Sequence, residues 1–131
     1  MRIDQTQIRV RYQETDNMGV VYYANYFTWL EVARTEYLRS AGVSYRHLEE
    51  KGIYLMVAEA RCQYKAPARY DDVVSIQTWI SKVKNSSLDF AHKLYIGDKL
   101  IASAESVHVF TNKGGKPVRI PKEIRNIPQN Y

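Results

Sequence analysis

The sequence predicts an α+β fold in which one antiparallel sheet wraps a single long helix. An alternating apolar pattern opens the chain, a helical period then runs from about residue 24 to residue 41, and four strand-like runs follow with short connections. A helix with one apolar stripe and a sheet with one apolar face each need a partner to bury that surface. A strand, one long helix and a meander leave that helix and that sheet to cover each other.

Each element follows from its own pattern. Over 2–12, Ile8, Val10 and Tyr12 share one face and Arg9 and Arg11 the other, which is the period of a strand. Asn17-Met18-Gly19 is a turn signal. Over 24–41, Tyr26, Leu30, Ala33, Tyr37 and Ala41 recur at spacings of three and four, with Phe27, Trp29 and Leu38 widening the stripe. Asn25 is the expected N-cap and Gly42 the expected stop. Ser44 is placed to cap a short second helix through about Glu50, closed by Gly52.

The remaining strands are expected at about 54–64, 72–83, 86–96 and 99–111. Pro67 and the Asp71-Asp72 pair separate the first two. Asn85-Ser86 is a tight connection, so the strands on either side are antiparallel, and Ile96-Gly97-Asp98-Lys99 reads as a hairpin turn. Lys113-Gly114-Gly115-Lys116-Pro117 ends the last long strand.

Composition narrows the function. The 131 residues are 45% hydrophobic and 25% charged, the balance of a globular chain rather than a disordered one, and one domain over 1–131 is expected. No apolar run approaches the ~20 residues of a membrane span. The first residues hold no apolar signal core, so a cytoplasmic location is expected. Cys62 is the single cysteine and falls within a strand pattern, where it acts as a small hydrophobe. His47, His92 and His108 are widely spaced and form no short metal motif, so no metal is expected; the two in strand patterns read as hydrogen-bonded structural groups. No nucleophile elbow, P-loop or dinucleotide fingerprint is present.

The net charge is +5, and residues 113–131 hold five basic side chains against one acid, Glu123. Such a segment can meet nucleic acid, an acidic lipid surface or a phosphorylated small molecule. It lacks the aromatic interleaving of a single-strand binder, so no nucleic-acid partner is expected.

Asp16 is the residue with chemistry. It sits where the strand pattern stops and shortly before the helix pattern starts. Asp in such a junction is commonly a turn residue or cap. A carboxylate there also lies beside backbone N–H groups that have no intrahelical acceptor, a pairing suited to reaction at a carbonyl.

The string Asp16-x-x-Gly19-x-Val21-Tyr22-x-x-Asn25-Tyr26, followed by Glu31, Ala33 and Arg34, resembles the hotdog-fold acyl-CoA thioesterases, in particular the 4-hydroxybenzoyl-CoA thioesterase and YbgC-type branch. The resemblance implies a five- or six-stranded antiparallel sheet curled around the helix. It implies a dimer joined edge to edge, often paired again into a tetramer, with sites at the dimer interface. It also implies that Asp16 hydrolyses a thioester, as nucleophile or as general base, while the Tyr23 backbone N–H polarises the carbonyl. Many YbgC-type relatives carry His where this chain has Tyr23, which leaves the amide role intact and removes a side-chain acid or base.

The resemblance further implies that Gly19 lets the loop approach the substrate and that Tyr22, Tyr26 and Glu31 line the acyl pocket. The turn holding Lys84, Ser86 and Ser87 matches the position where relatives contact phosphate, and Lys116 and Arg119 are the next candidates to hold coenzyme A. The expected partner is an acyl-CoA or acyl-carrier thioester, with no cofactor beyond the coenzyme A of the substrate. The alternatives are a hotdog hydratase, which pairs its Asp with a nearby His, and a non-catalytic acyl-CoA or acyl-carrier binding module. No His stands beside Asp16 in the sequence, which counts against the hydratase.

Overall fold

In the computed structural model, which describes residues 2–128, five strands form one antiparallel sheet in the order β1-β3-β4-β5-β2. The strands are β1 (Asp4–Arg9), β2 (Tyr54–Tyr64), β3 (Val73–Val83), β4 (Ser87–Ile96) and β5 (Lys99–Thr111). The helices are α1 (Asn25–Ser40), α2 (Tyr45–Glu50) and the single turn α3 (Lys122–Arg125). The meander β3-β4-β5 supplies the centre of the sheet, and β1 and β2 are its edges.

The inner face follows the period of two. Val74, Ile76 and Ile80 of β3, Leu88, Phe90 and Leu94 of β4, and Ala102, Ala104 and Phe110 of β5 are buried. Helix α1 lays Tyr26, Trp29, Leu30, Ala33, Tyr37 and Leu38 on them. Burying each large apolar side chain stabilises the fold by roughly 1.5–3 kcal/mol, which is why this stripe, rather than helix propensity, holds α1 in place. The core has two parts. Trp29 and Leu30 belong to one, at the start of α1; Tyr37, Phe90 and Phe110 belong to the other, at its end. Between them the inner face carries buried polar groups: Thr78, His92, Ser106 and His108.

Helix α1 ends as the sequence predicts. Gly42 has φ +87°, Gly42 N–H donates to the Arg39 carbonyl and Val43 N–H to the Leu38 carbonyl at 2.8 Å, a pair of bonds that closes the last turn. Ser44 Oγ caps α2 by accepting from His47 N–H at 3.2 Å.

Three local readings are corrected. The first strand stops at Arg9, because residues Tyr12–Glu14 turn into a single 3-10 turn. Val10 is still buried, but Tyr12 is exposed. Asn25 lies inside the first turn of α1 rather than capping it; its Nδ2 donates to the Glu14 carbonyl at 2.8 Å, a tertiary bond that outweighs the cap. Ser86 belongs to the β3–β4 connection, and β4 begins at Ser87.

The two edges differ. Edge strand β1 has six residues and lies under α1. Edge strand β2 has eleven, and most of them are exposed, including Met56 and Val57 at 54% and 57%. Its pairing with β5 shifts between Val57 and Glu59, leaving Ala58 as an extra residue that bends the strand.

Candidate active site

The loop before α1 is fixed by one buried carboxylate. Glu14 accepts from Arg11 N–H at 2.8 Å, from Trp29 Nε1–H at 2.9 Å and from the Arg11 guanidinium at 3.3 Å. Burial alone pushes the Glu14 carboxyl up, but these three donors together outweigh it and hold the group below its ordinary value. The Glu14 carbonyl in turn accepts Tyr22 N–H and Asn25 Nδ2–H. Strand end, loop and helix start are therefore tied together at one residue.

Asp16 projects from this frame. Its N–H donates to the Val20 carbonyl at 2.9 Å, and its carbonyl accepts Gly19 N–H at 3.0 Å. Gly19 has φ +78°, a left-handed conformation that glycine adopts without a side-chain clash. The exposed Asp16 carboxylate accepts one hydrogen bond, from Met18 N–H at 2.9 Å.

The chain then enters α1. Asn25, Tyr26 and Phe27 N–H each donate three residues back, to the carbonyls of Tyr22, Tyr23 and Ala24. Among the described residues, the N–H groups of Tyr23 and Ala24 donate to nothing. Two unpaired amides thus stand at the positive end of a sixteen-residue helix, beside the loop that carries Asp16.

Tyrosines surround this point. The Tyr64 hydroxyl donates to the Tyr23 carbonyl at 3.0 Å, and the Tyr64 ring meets the Tyr26 ring edge-on at 4.9 Å. Burial pushes the Tyr64 phenol up to about 12, so it stays a donor. The Tyr22 and Tyr23 rings are 4.8 Å apart, and the bond to Tyr23 raises the Tyr22 phenol, with the Asp16 carboxylate a smaller contributor. A cavity of about 310 Å³ opens here, lined by Val20, Val21, Tyr23, Tyr26 and Tyr64. Tyr22 is exposed at its margin rather than among the lining residues.

Other predicted site residues lie elsewhere. Glu31 is exposed further along α1, at a second cavity of about 460 Å³. Lys84, Ser86, Ser87, Lys116 and Arg119 gather at the far end of β3. Lys84 N–H closes the β3–β4 turn on the Ser87 carbonyl, Phe110 N–H donates to the Ser86 carbonyl, and Arg119 Nη1 donates to Asn85 Oδ1 at 3.0 Å. Lys116 lies in the adjacent loop, its N–H on Asn112 Oδ1. Arg125 donates to the Lys84 and Asn85 carbonyls, fastening the turn to the end of the chain. Strand β3 has eleven residues, so this cluster stands about 35 Å from the Asp16 end of the same sheet.

Glu14 and Tyr64 were not legible as site residues. The Arg11-x-x-Glu14 spacing hinted at a local pair, but the Trp29 bond joins residues fifteen apart. Tyr64 sits on the inner face of β2 and gave only a strand signal. No group of three or more His, Cys, Asp or Glu among the described residues forms a metal cluster.

A sheet curled over one helix, with a carboxylate beside the free amides at that helix's start, defines a class, and the comparisons identify it. Residues 10–127 match the thioesterase-like superfamily, and the chain belongs to that family. It is 36% identical over 121 residues to the acyl-CoA thioesterase YbgC of Haemophilus influenzae, covering 90% of this chain and 88% of that one. It is 34% identical over 124 residues to the putative acyl-CoA thioesterase YneP of Bacillus subtilis, covering 93% and 90%. The solved DHNA-CoA thioesterase of Staphylococcus aureus superposes with a TM-score of 0.88 at 32% identity, over 91% of this chain and 81% of that chain. The fold is the hotdog fold that the string from Asp16 implied.

Proposed function

We propose that the protein is an acyl-CoA thioesterase. The observation that carries this is the Asp16 carboxylate beside the unpaired Tyr23 and Ala24 amides, next to a tyrosine-lined cavity. Water adds to the thioester carbonyl carbon, or Asp16 does so first and water then cleaves the anhydride. In either case the C–S bond breaks, the acid is released and the thiolate leaves to be protonated. As the carbonyl oxygen gains charge, the Tyr23 N–H donates to it; this donor is fixed in advance by the helix start. Asp16 serves as base or nucleophile because it is exposed and holds a single donor of its own. The hydratase reading is disfavoured by the buried positions of His92 and His108 in mid-sheet, bonded to Thr78 and Ser106.

The reading includes a second copy of the chain. Strand β2 presents an exposed edge with apolar side chains, a surface that proteins cover. Its Tyr64 end lies at Tyr23, and its Tyr54 end pairs with Thr111 beside the basic cluster. Two copies joined antiparallel through β2 bring the Asp16 loop of one toward Lys84, Lys116 and Arg119 of the other. That arrangement spans a coenzyme A thioester, with the reacting carbonyl at one end and phosphates at the other. No helix among the described residues is long and apolar enough to cross a membrane.

Thiol release from short, long and aromatic acyl-CoAs tests the reading. Asp16→Asn is expected to lower kcat by about 10²- to 10⁴-fold with an unchanged thermal midpoint. Undiminished hydrolysis by the Asn variant would remove Asp16 from the mechanism. Absence of turnover by the wild type on every thioester would favour a binding module.

A further inference from the structure

The larger cavity is built around a cation that no described residue pairs with within 4.0 Å. It lies between α1, α2 and the inner face of the sheet, about 460 Å³ in volume, and Glu31, Arg34, Tyr45, Glu49, Val57 and His108 line it. Arg34 is half-buried. Burial lowers its pKa, and only the more distant Tyr45 and Glu31 act the other way. Its guanidinium makes no hydrogen bond and no ion pair within 4.0 Å among the described residues. Its basic neighbours on the rim differ: Arg39 is bonded to Glu36, and Arg46 lies 3.9 Å from Glu50.

The floor gives Arg34 no counter-charge. His108 is fully buried; its Nε2 meets Ser106 Oγ at 2.7 Å, and its Nδ1 has no partner. His92, bonded to Thr78, likewise leaves Nε2 unpartnered. Burial first, and then the Arg34 charge, push His108 down to about 3, so the floor is neutral at physiological pH. A half-buried guanidinium that lines a cavity and has no partner within 4.0 Å keeps its planar fork of donors available to an acceptor that enters.

We infer that this cavity is a carboxylate-binding site in which the Arg34 guanidinium takes the two oxygens of a monoanion. One planar fork of N–H donors matches one carboxylate. Glu31 and Glu49 on the rim oppose a dianion such as phosphate, and Val57 with the Tyr45 ring provides apolar wall for the carbon chain attached to it. Arg34 lies nine residues beyond Asn25 on α1, ~14 Å along the axis, so the site is separate from the free amides at the helix start. Two sources supply a carboxylate: the far end of an acyl group, which rests on the thioesterase reading, and a free acid, which does not.

Titration of the wild-type protein with hexanoate in low-chloride buffer, followed by the ring resonances of His108, tests the site without any turnover. Hexanoate is expected to shift those resonances and raise the melting temperature. Arg34→Gln is expected to weaken the effect at least tenfold, Arg34→Lys less, and methyl hexanoate to leave the resonances unmoved; circular dichroism checks that both variants fold. Resonances indifferent to millimolar hexanoate, or equal binding by the Gln variant, would overturn the inference. The sources separate in kinetics. If the acyl end is the ligand, Arg34→Gln raises the ratio of KM for dodecanedioyl-CoA, a chain long enough to reach from the amides to Arg34, to that for dodecanoyl-CoA at least tenfold; if that ratio stays constant while hexanoate binding is lost, the ligand is the free acid.

Discussion

Where β1 ends and β3 begins, the exposed chemistry is a carboxylate, two unpaired amides and a cluster of tyrosines; where β3 ends, it is the basic turn of Lys84 with Lys116 and Arg119. The first end can attack a carbonyl but offers little to a polyanion. The second can hold phosphates but has no group to attack with. They stand about 35 Å apart on one sheet. In the proposed reading the contrast makes the single chain a carrier of two half-sites, and the exposed edge β2, running between the two ends, would join halves from different copies.

The largest expected effect comes from breaking the first end. Asp16→Asn removes the attacking carboxylate but keeps a side-chain oxygen for Met18 N–H, so hydrolysis falls by orders of magnitude and folding does not. Breaking the junction comes next. Met56→Lys changes an exposed side chain of β2, which in an isolated chain costs within about 0.5 kcal/mol. Its expected result is dissociation in sedimentation velocity with at least a tenfold loss of kcat/KM; an unchanged sedimentation coefficient would show that β2 is not the seam.

The second end is expected to matter less and in a different parameter. Lys84→Ala with Lys116→Ala should raise KM for acyl-CoA by about five- to tenfold at low ionic strength and by much less at 1 M salt, because exposed charges are screened. A salt-independent change would mean a structural effect instead. The smallest effect separates both ends from the middle. His92 and His108 are held near 3, mainly by burial, whereas in the unfolded chain each titrates near its ordinary 6.5. The unfolded state therefore binds more protons below pH 6.5, and stability that is complete above that value declines toward pH 3, by at most about 1.4 kcal/mol per pH unit for each histidine. Denaturant melts from pH 7.5 to 5 check it; substituting Asn for His108 should flatten the slope.

Much of this plan could be read from the residues. The meander is legible because β3, β4 and most of β5 alternate, and α1 because its stripe is unbroken. What failed were positions decided by specific polar bonds rather than by the apolar pattern. Val10 and Tyr12 extend the alternation of β1, yet the Arg11–Glu14 pair turns the chain away after Arg9. Asn25 looks like a cap until the Glu14 carbonyl claims its amide. Leu55 and Val57 share the inner face of β2, yet Leu55 is buried and Val57 is exposed, a difference that no local pattern shows. Asp16 itself was conspicuous only through its neighbours. The Arg34 pocket was legible only as Glu31 and Arg34 on one helix; its walls from α2 and two strands come together only in the fold.

Glu14 and Asp16 are two residues apart, and their fates are opposite. Glu14 is the sink for local positive charge: it occupies the Arg11 guanidinium and backbone N–H and the Trp29 indole, all within 3.3 Å. Asp16 is left with one donor. In the proposed mechanism the two acids divide the work: the one hidden in the frame holds Arg11 and the indole, and the one on the surface keeps its carboxylate for the thioester.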